Sequence, residues 1–488
     1  MKKLILLIPV FFLSSLFIQT YSQTLSGAFT VTGAGYSTAV VTDYQCVGLN
    51  PANLGWRRND HLMNVGFAEA DISIYSEPLK RALVDELFNT GKVFTEEERQ
   101  QAVTNFTDTK LQMEGNISGI GLSLQNDKIG GFGFAIRERL VWDSNLNEQS
   151  ADLLFNGYNS SYFDTIVVDP QTGDSIGVVS NPAYVTDLFE GTKLEMLWFR
   201  EFNLSYGRRI FNTNNFTLYA GVGIKYLQGY SVFNYSYSGG VMRAYSALTP
   251  VVGVDYGTDS PSKINNDKYQ SVGQGWGLDF GLSAMLFSKL RLAVAVTDFG
   301  EIKWDGNVYE GKDALLEDIE SSGLDNYNIF DLDDNMAFDN IDWGDWEGLE
   351  SKTTKLPMNF RAGAAFLLNK KYEFGGELYL PVNDVPGSYD KLIVGFGARL
   401  MPVKWFRGSI GVVSGGETGT NIPVGISFFP FNNDSFSWEL GVAIRDITTY
   451  FQQDKPTVSI ALGFLRFSFG SLQKKKKVEE KTDESMGY

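Results

Sequence analysis

Residues Lys391 to Met401 read KLIVGFGARLM. In an extended chain successive side chains point to opposite sides. Leu392, Val394, Phe396, Ala398 and Leu400 therefore share one face, with Gly395, Gly397 and Arg399 on the other. Period two places the first set in lipid and the second in a polar lumen. Gly275 to Ala284 repeats the pattern, with Trp276, Leu278, Phe280 and Leu282 outward and Gly277, Asp279 and Gly281 inward. So does Gly131 to Trp142, where Phe132, Phe134 and Ile136 oppose Gly133, Ala135, Arg137 and Arg139.

Working outward, segments of this kind run from His61 to Phe469, joined by connections that are alternately short and long. Short turns fall at Asn126-Asp127-Lys128, Asn212 to Asn215, Ser288-Lys289, Asn369-Lys370-Lys371, Pro402-Val403-Lys404 and Asn432 to Ser435. Six such turns separate seven hairpins, which predicts fourteen strands of an antiparallel transmembrane β-barrel with tight periplasmic turns and long extracellular loops. The loops fall near 76–108, 145–193, 230–272, 305–355, 383–390, 415–421 and 449–456. In the first, Thr95 followed by Glu96-Glu97-Glu98 reads as a capping box opening a helix.

The composition agrees with a barrel. Aromatic residues make up 14% of the 488, with 36 Phe and 23 Tyr, and mean hydropathy is only -0.13. Aromatic girdles with a polar inner face produce that combination. Met1-Lys2-Lys3, the apolar run from Leu4 to Ile18 and Thr20-Tyr21-Ser22 read as an export signal over residues 1–22. The run is short and contains Pro9, which speaks against a membrane anchor. A single cysteine, Cys46, permits no internal disulfide.

Between the signal and the first strand lies Gly33 to Trp56, GAGYSTAVVTDYQCVGLNPANLGW. Gly33 and Gly35 open it, and Asn50-Pro51-Ala52 sets a turn near its end: proline fixes φ, and asparagine can bond its own backbone. A Gly-x-Gly segment ending in an NPA turn at the mouth of a barrel resembles the N-terminal hatch of the FadL family of outer-membrane transporters and its PorV-like relatives in Bacteroidota. Gly277-Leu278-Asp279-Phe280-Gly281 followed by Val296 to Trp304, VTDFGEIKW, resembles the repeated hairpin of a FadL-like barrel family common in the same group. The resemblance implies an outer-membrane location in a Gram-negative bacterium, with both barrel ends periplasmic. It divides the chain into signal (1–22), hatch (23–60), barrel (61–470) and a charged periplasmic tail (471–488).

Inward positions carry Arg137, Arg139, Arg361, Arg399, Arg407 and Arg445 beside Asp279, Glu373, Glu377 and Glu439. Opposite charges in a narrow interior should pair, because isolated buried charge is costly. A ladder bracing wall and hatch is expected over a selectivity ring, and with it an occluded lumen. The net charge of -17 gathers in Glu301 to Glu350, which holds sixteen carboxylates against Lys303 and Lys312. Asp331, Asp333 and Asp334 are weak metal candidates there: Met336 stands where a calcium loop needs its glycine.

One histidine, His61, and the lack of a Gly-x-Ser-x-Gly elbow argue against catalysis, and no cofactor or nucleic-acid partner is expected. Two functions stay open. One is hatch-gated passive uptake or shuttling of small hydrophobic molecules, with membrane lipid and lipopolysaccharide as surroundings. The other is a non-transporting barrel scaffold of a secretion or assembly machine, meeting envelope proteins through its loops or tail.

Overall fold

Strands of period two need a partner on each side, and a membrane-spanning sheet must close so that no edge is left unpaired. The computed structural model describes residues 34–58, 61–88, 92–170, 173–252, 254, 256–328, 345–369, 371–389, 391–416 and 419–470. The export segment, Gly33, Asp331, Asp333, Asp334 and the 471–488 tail lie outside them.

The first half of the wall is β1 (His61–Ser76), β2 (Lys110–Asn126), β3 (Gly130–Asn145), β4 (Lys193–Asn212), β5 (Phe216–Ser238), β6 (Gly273–Leu286) and β7 (Leu290–Trp304). The second is β8 (Asn359–Leu367), β9 (Tyr372–Pro381), β10 (Ile393–Val403), β11 (Phe406–Gly415), β12 (Val424–Asn432), β13 (Phe436–Ile444) and β14 (Thr457–Gly470). Each pairs antiparallel with its neighbour in sequence, and β14 returns to β1 from His61↔Gly470 to Tyr75↔Thr457. The result is a closed fourteen-strand barrel. All six short turns fall between the expected strand pairs. The stretch KLIVGFGARLM lies almost wholly in β10, which starts two residues later and runs to Val403.

Outward positions carry the apolar set. Phe132, Trp276, Phe280, Leu282, Phe396 and Ile426 are all exposed, as a wall facing hydrocarbon requires. Near the short turns aromatic rings crowd together: Phe211 with Phe216 at 6.0 Å, Trp405 with Phe428 at 6.4 Å, and Phe436 with Phe469 at 5.5 Å between centroids. Among the described residues no helix is long and apolar enough to cross a membrane; a barrel crosses with strands.

The long loops fold over the opposite rim. Helix α1 (Glu96–Phe106) opens on the Thr95 capping box: Glu98 N donates to Thr95 Oγ1 at 3.3 Å, and Thr95 N donates to Glu98 Oε2 at 2.9 Å. Helix α2 (Glu148–Asn156) packs against it. Leu79, Leu87, Phe106, Phe155, Phe189 and Tyr327 belong to the apolar core of this cap. Thr165–Val168, Ser175–Tyr184 and Leu315–Ile319 form a separate three-stranded sheet.

Candidate functional site

Successive inward positions of β5 read Tyr219, Gly221, Gly223, Lys225, Leu227 and Gly229. They trace four levels of the interior, from the short turns to the cap. Tyr219 borders an open cleft, Gly221 touches the inner segment 34–58, Lys225 sits in a charged layer, and Gly229 meets the Trp304 ring. Residue size and polarity along one strand thus set what fills the lumen at each height.

The inner segment occupies the second level. Its backbone makes two short 3-10 turns, Asp43–Cys46 and Pro51–Gly55. Asn50 caps the second: its Oδ1 accepts from Ala52 N at 3.2 Å, while its Nδ2 donates to Thr38 O and to Ser283 Oγ, both at 3.0 Å. One asparagine therefore closes the NPA turn, ties it to the start of the segment and anchors it to β6. Wall glycines make the seat. A Cβ on Gly207 would lie 2.2 Å from Pro51 O, one on Gly221 2.3 Å from Ala52 N, and one on Gly281 2.0 Å from Asn50 Oδ1. No side chain fits between turn and wall there. Gly35 takes a positive φ of 70° where it passes β10, within 1.8 Å of a Cβ built on Gly395.

Carboxylates of the wall grip the segment. Glu377 accepts from Ser37 N, from Ser37 Oγ at 2.8 Å, from Thr38 N at 2.9 Å and from Thr38 Oγ1 at 2.8 Å, and pairs with Arg361 at 3.0 Å. Glu373 pairs with Arg58 at 3.1 Å, lies 3.6 Å from Arg399 and accepts from the Tyr36 hydroxyl at 3.2 Å. Glu69 accepts from Tyr44 and pairs with Arg466 at 3.2 Å. Gln125 Nε2 donates to Trp56 O at 2.7 Å, and Arg137 donates to Val47 O. Charge-assisted bonds of this kind are about twice as strong as neutral ones. Between these grips the contact is apolar and small: Ala34, Val40, Val41, Val47 and Leu54 meet Ala135, Ala293 and Ala365.

The charged layer lies toward the cap. Lys225 is fully buried and pairs with Asp279 at 3.0 Å and Asp298 at 2.5 Å, and Arg139 reaches Asp298 at 3.0 Å. Glu201 joins Arg137 at 3.0 Å. Across the lumen Arg445 pairs with Asp71 at 2.7 Å and with Glu114; nearer the short turns, at the start of β11, Arg407 pairs with Glu439. Each of the ten inward charges read from the sequence has an opposite charge beside it. Their partners include Lys225, Glu201, Asp298, Asp71 and Glu114 in the charged layer, and Arg466, which also pairs with Glu69, nearer the inner segment. Lys225 was available from the alternation of β5. Asp298 was not: a bulge between Val296 and Phe299, with Asp298 at φ 62°, turns it inward against the strict alternation.

His61 starts β1, buried at the turn-side rim, with Nε2 2.9 Å from Asn433 O. Among the described residues no group of three or more His, Cys, Asp or Glu could hold a metal.

A family model described as "Family of unknown function (DUF5723)" matches residues 64–433. No curated protein matches. Among solved structures, a TodX deltaS2S3 mutant monoaromatic hydrocarbon channel aligns over 92% of this chain and 100% of its own, at 11% identity and a TM-score of 0.46. A Pseudomonas aeruginosa FadL homologue aligns over 93% and 100%, at 12% and 0.42. The Ralstonia pickettii toluene transporter TbuX aligns over 91% and 98%, at 10% and 0.42. Those names describe those proteins.

Proposed function

The chain belongs to the Family of unknown function (DUF5723), and from that premise we propose that it is an outer-membrane barrel for passive passage of small hydrophobic molecules, with the inner segment as its hatch. The observation that carries this reading is the contrast around residues 34–58: a small, apolar seam against the wall, interrupted by a few carboxylate grips. A seam of that kind parts for an apolar solute once the grips yield, without carrying free ions through the charged layer. Both barrel ends share the short-turn rim, which this reading assigns to the periplasm.

Cells expressing the protein should take up a radiolabelled long-chain fatty acid or naphthalene faster than cells without it. Glu377→Gln, which weakens the grip on Ser37 and Thr38, should raise that rate further. Uptake equal to the control for both probes, with the barrel present in the membrane, would sink the reading.

A second reading has its own observation. The long loops bury a large apolar core, with Leu87, Phe106, Phe155 and Phe189 in one cluster with Ile74, Leu111, Leu194 and Tyr235 of the barrel strands. It fits a scaffold subunit of an envelope machine, of the kind the PorV-like resemblance implies. Affinity capture with the 471–488 tail intact and deleted tests it; an unchanged partner list would remove the tail from that account.

A further inference from the structure

The turn-side mouth holds a feature that the charged layer does not reach and that only one of the grips, Arg58 with Glu373, touches. Trp56, Arg57, Arg58, Asp127, Arg209 and Tyr219 line a cleft of about 270 Å³ open at that rim. Behind it, the Arg291 guanidinium stacks on the Trp56 ring at 3.7 Å from the centroid. Arg291 is buried, 8% exposed, and its Nε and Nη1 have no hydrogen-bond partner among the described residues. Buried guanidinium donors left without acceptors are costly, and an occurrence in a folded protein calls for an ion or water to complete it.

The local charge points to which. Four guanidinium groups, from Arg57, Arg58, Arg209 and Arg291, face two carboxylates. Asp127 pairs with Arg57, with Nε at 3.2 Å from Oδ1, and Glu373 pairs with Arg58 at 3.1 Å. That is a positive mouth on a chain whose net charge is -17. Guanidinium forks match the oxygens of carboxylate and phosphate, and stacking on an aromatic ring fixes the plane of the fork beforehand.

We propose that this cleft is an oxyanion site, taking a phosphate or carboxylate group against Arg209, Arg57 and Arg58, with Arg291 behind it fixing the Trp56 ring and adding positive charge. The anion arrives either free or as the head of an amphiphile. Trp56, Arg57 and Arg58 end the inner segment, so the site forms with that segment seated, and anion binding is read without any passage of solute.

Titration calorimetry on the whole protein, in non-ionic detergent at low ionic strength, tests it with inorganic phosphate in one arm and octanoate in the other. Saturable binding is expected, weakened about tenfold, a loss of about 1.4 kcal/mol, in Arg209→Gln and in Arg291→Gln, and unchanged in Lys128→Gln on the neighbouring turn. Tighter phosphate binding marks a free anion, and tighter octanoate binding marks an amphiphile head; each supports the site. Arg209 is exposed, so its variant keeps its fold and carries the test should Arg291→Gln misfold. No saturable heat with either probe at millimolar concentration, or equal binding in wild type and Arg209→Gln, would overturn it.

Discussion

Glu377 shows what a single inward carboxylate does. It faces the amides and hydroxyls of Ser37 and Thr38 on one side and Arg361 on the other. Replacing it with glutamine keeps the shape but removes the charge, so the buried Arg361 guanidinium loses its anion. Breaking one member of a buried pair costs about 3–5 kcal/mol. Glu377→Gln should lower the urea midpoint of the barrel in lipid vesicles accordingly, and Glu377→Asp should fall less far. Equal midpoints for wild type and Glu377→Gln would show that the grip holds nothing. Glu77, just beyond β1, makes a comparable junction: it accepts from Lys110 N at 3.0 Å and the Tyr75 hydroxyl at 3.0 Å, and pairs with Lys455 at 2.8 Å. Burial alone would raise its carboxyl, but the Lys455, Lys110 and Tyr75 donors outweigh burial and hold it below the usual value of 4.5. Its contribution is therefore present above pH 4.5 and lost as the pH falls below it. Proteolysis of the last loop, around Gln453, should quicken on acidification in wild type, and Glu77→Gln should be fast at both pH values.

At the scale of the element, β-strand alternation and turn chemistry carried most of what could be read. The alternating runs in β3, β6 and β10 fixed which faces meet lipid, and the six Asn-, Lys- and Ser-bearing turns fixed the count. Bulges were not legible. At Ala68, φ 50°, the ladder with β2 passes from Phe67↔Ile120 to Glu69↔Ser118, so Gly66 points inward and so does Glu69. The alternation changes phase at that step, which hides Glu69 and Asp71 from a strict period of two, as the separate bulge in β7 hides Asp298. Arg58 and Arg291 are hidden for another reason: one lies in the inner segment, outside any alternating run, and the other is the second residue of β7, beside the Ser288-Lys289 turn. The small residues opposite the inner segment tell the converse story, since glycine signals close approach without naming what approaches. Gly221→Leu tests that approach. Its side chain would enter the space of Pro51 and Ala52, so the segment should lose its seat while the barrel still forms. Heat-modifiable migration on a gel should persist, and cleavage within 34–58 by added protease should rise severalfold; an unchanged cleavage rate would mean that the seat is elsewhere.

For the whole molecule, lipid on one side and a charged, filled interior on the other account for a chain that is neither apolar on average nor soluble in pattern. Closure through β14 and β1 leaves the wall without an edge, and the cap and inner segment then fill the two ends of the lumen. The native sequence supplies its own reporter of that arrangement. Cys46, the single cysteine, is fully buried in the inner segment, where its Sγ lies 3.1 Å from Asp43 O, and burial pushes its thiol well above the ordinary value. A thiol that is both enclosed and held protonated reacts slowly. The most direct measurement is labelling of Cys46 by a membrane-impermeant maleimide in the protein folded into lipid vesicles. Protection over hours, abolished by unfolding in urea, is the predicted result; labelling of the folded barrel as fast as of the unfolded chain would contradict a segment seated inside the wall.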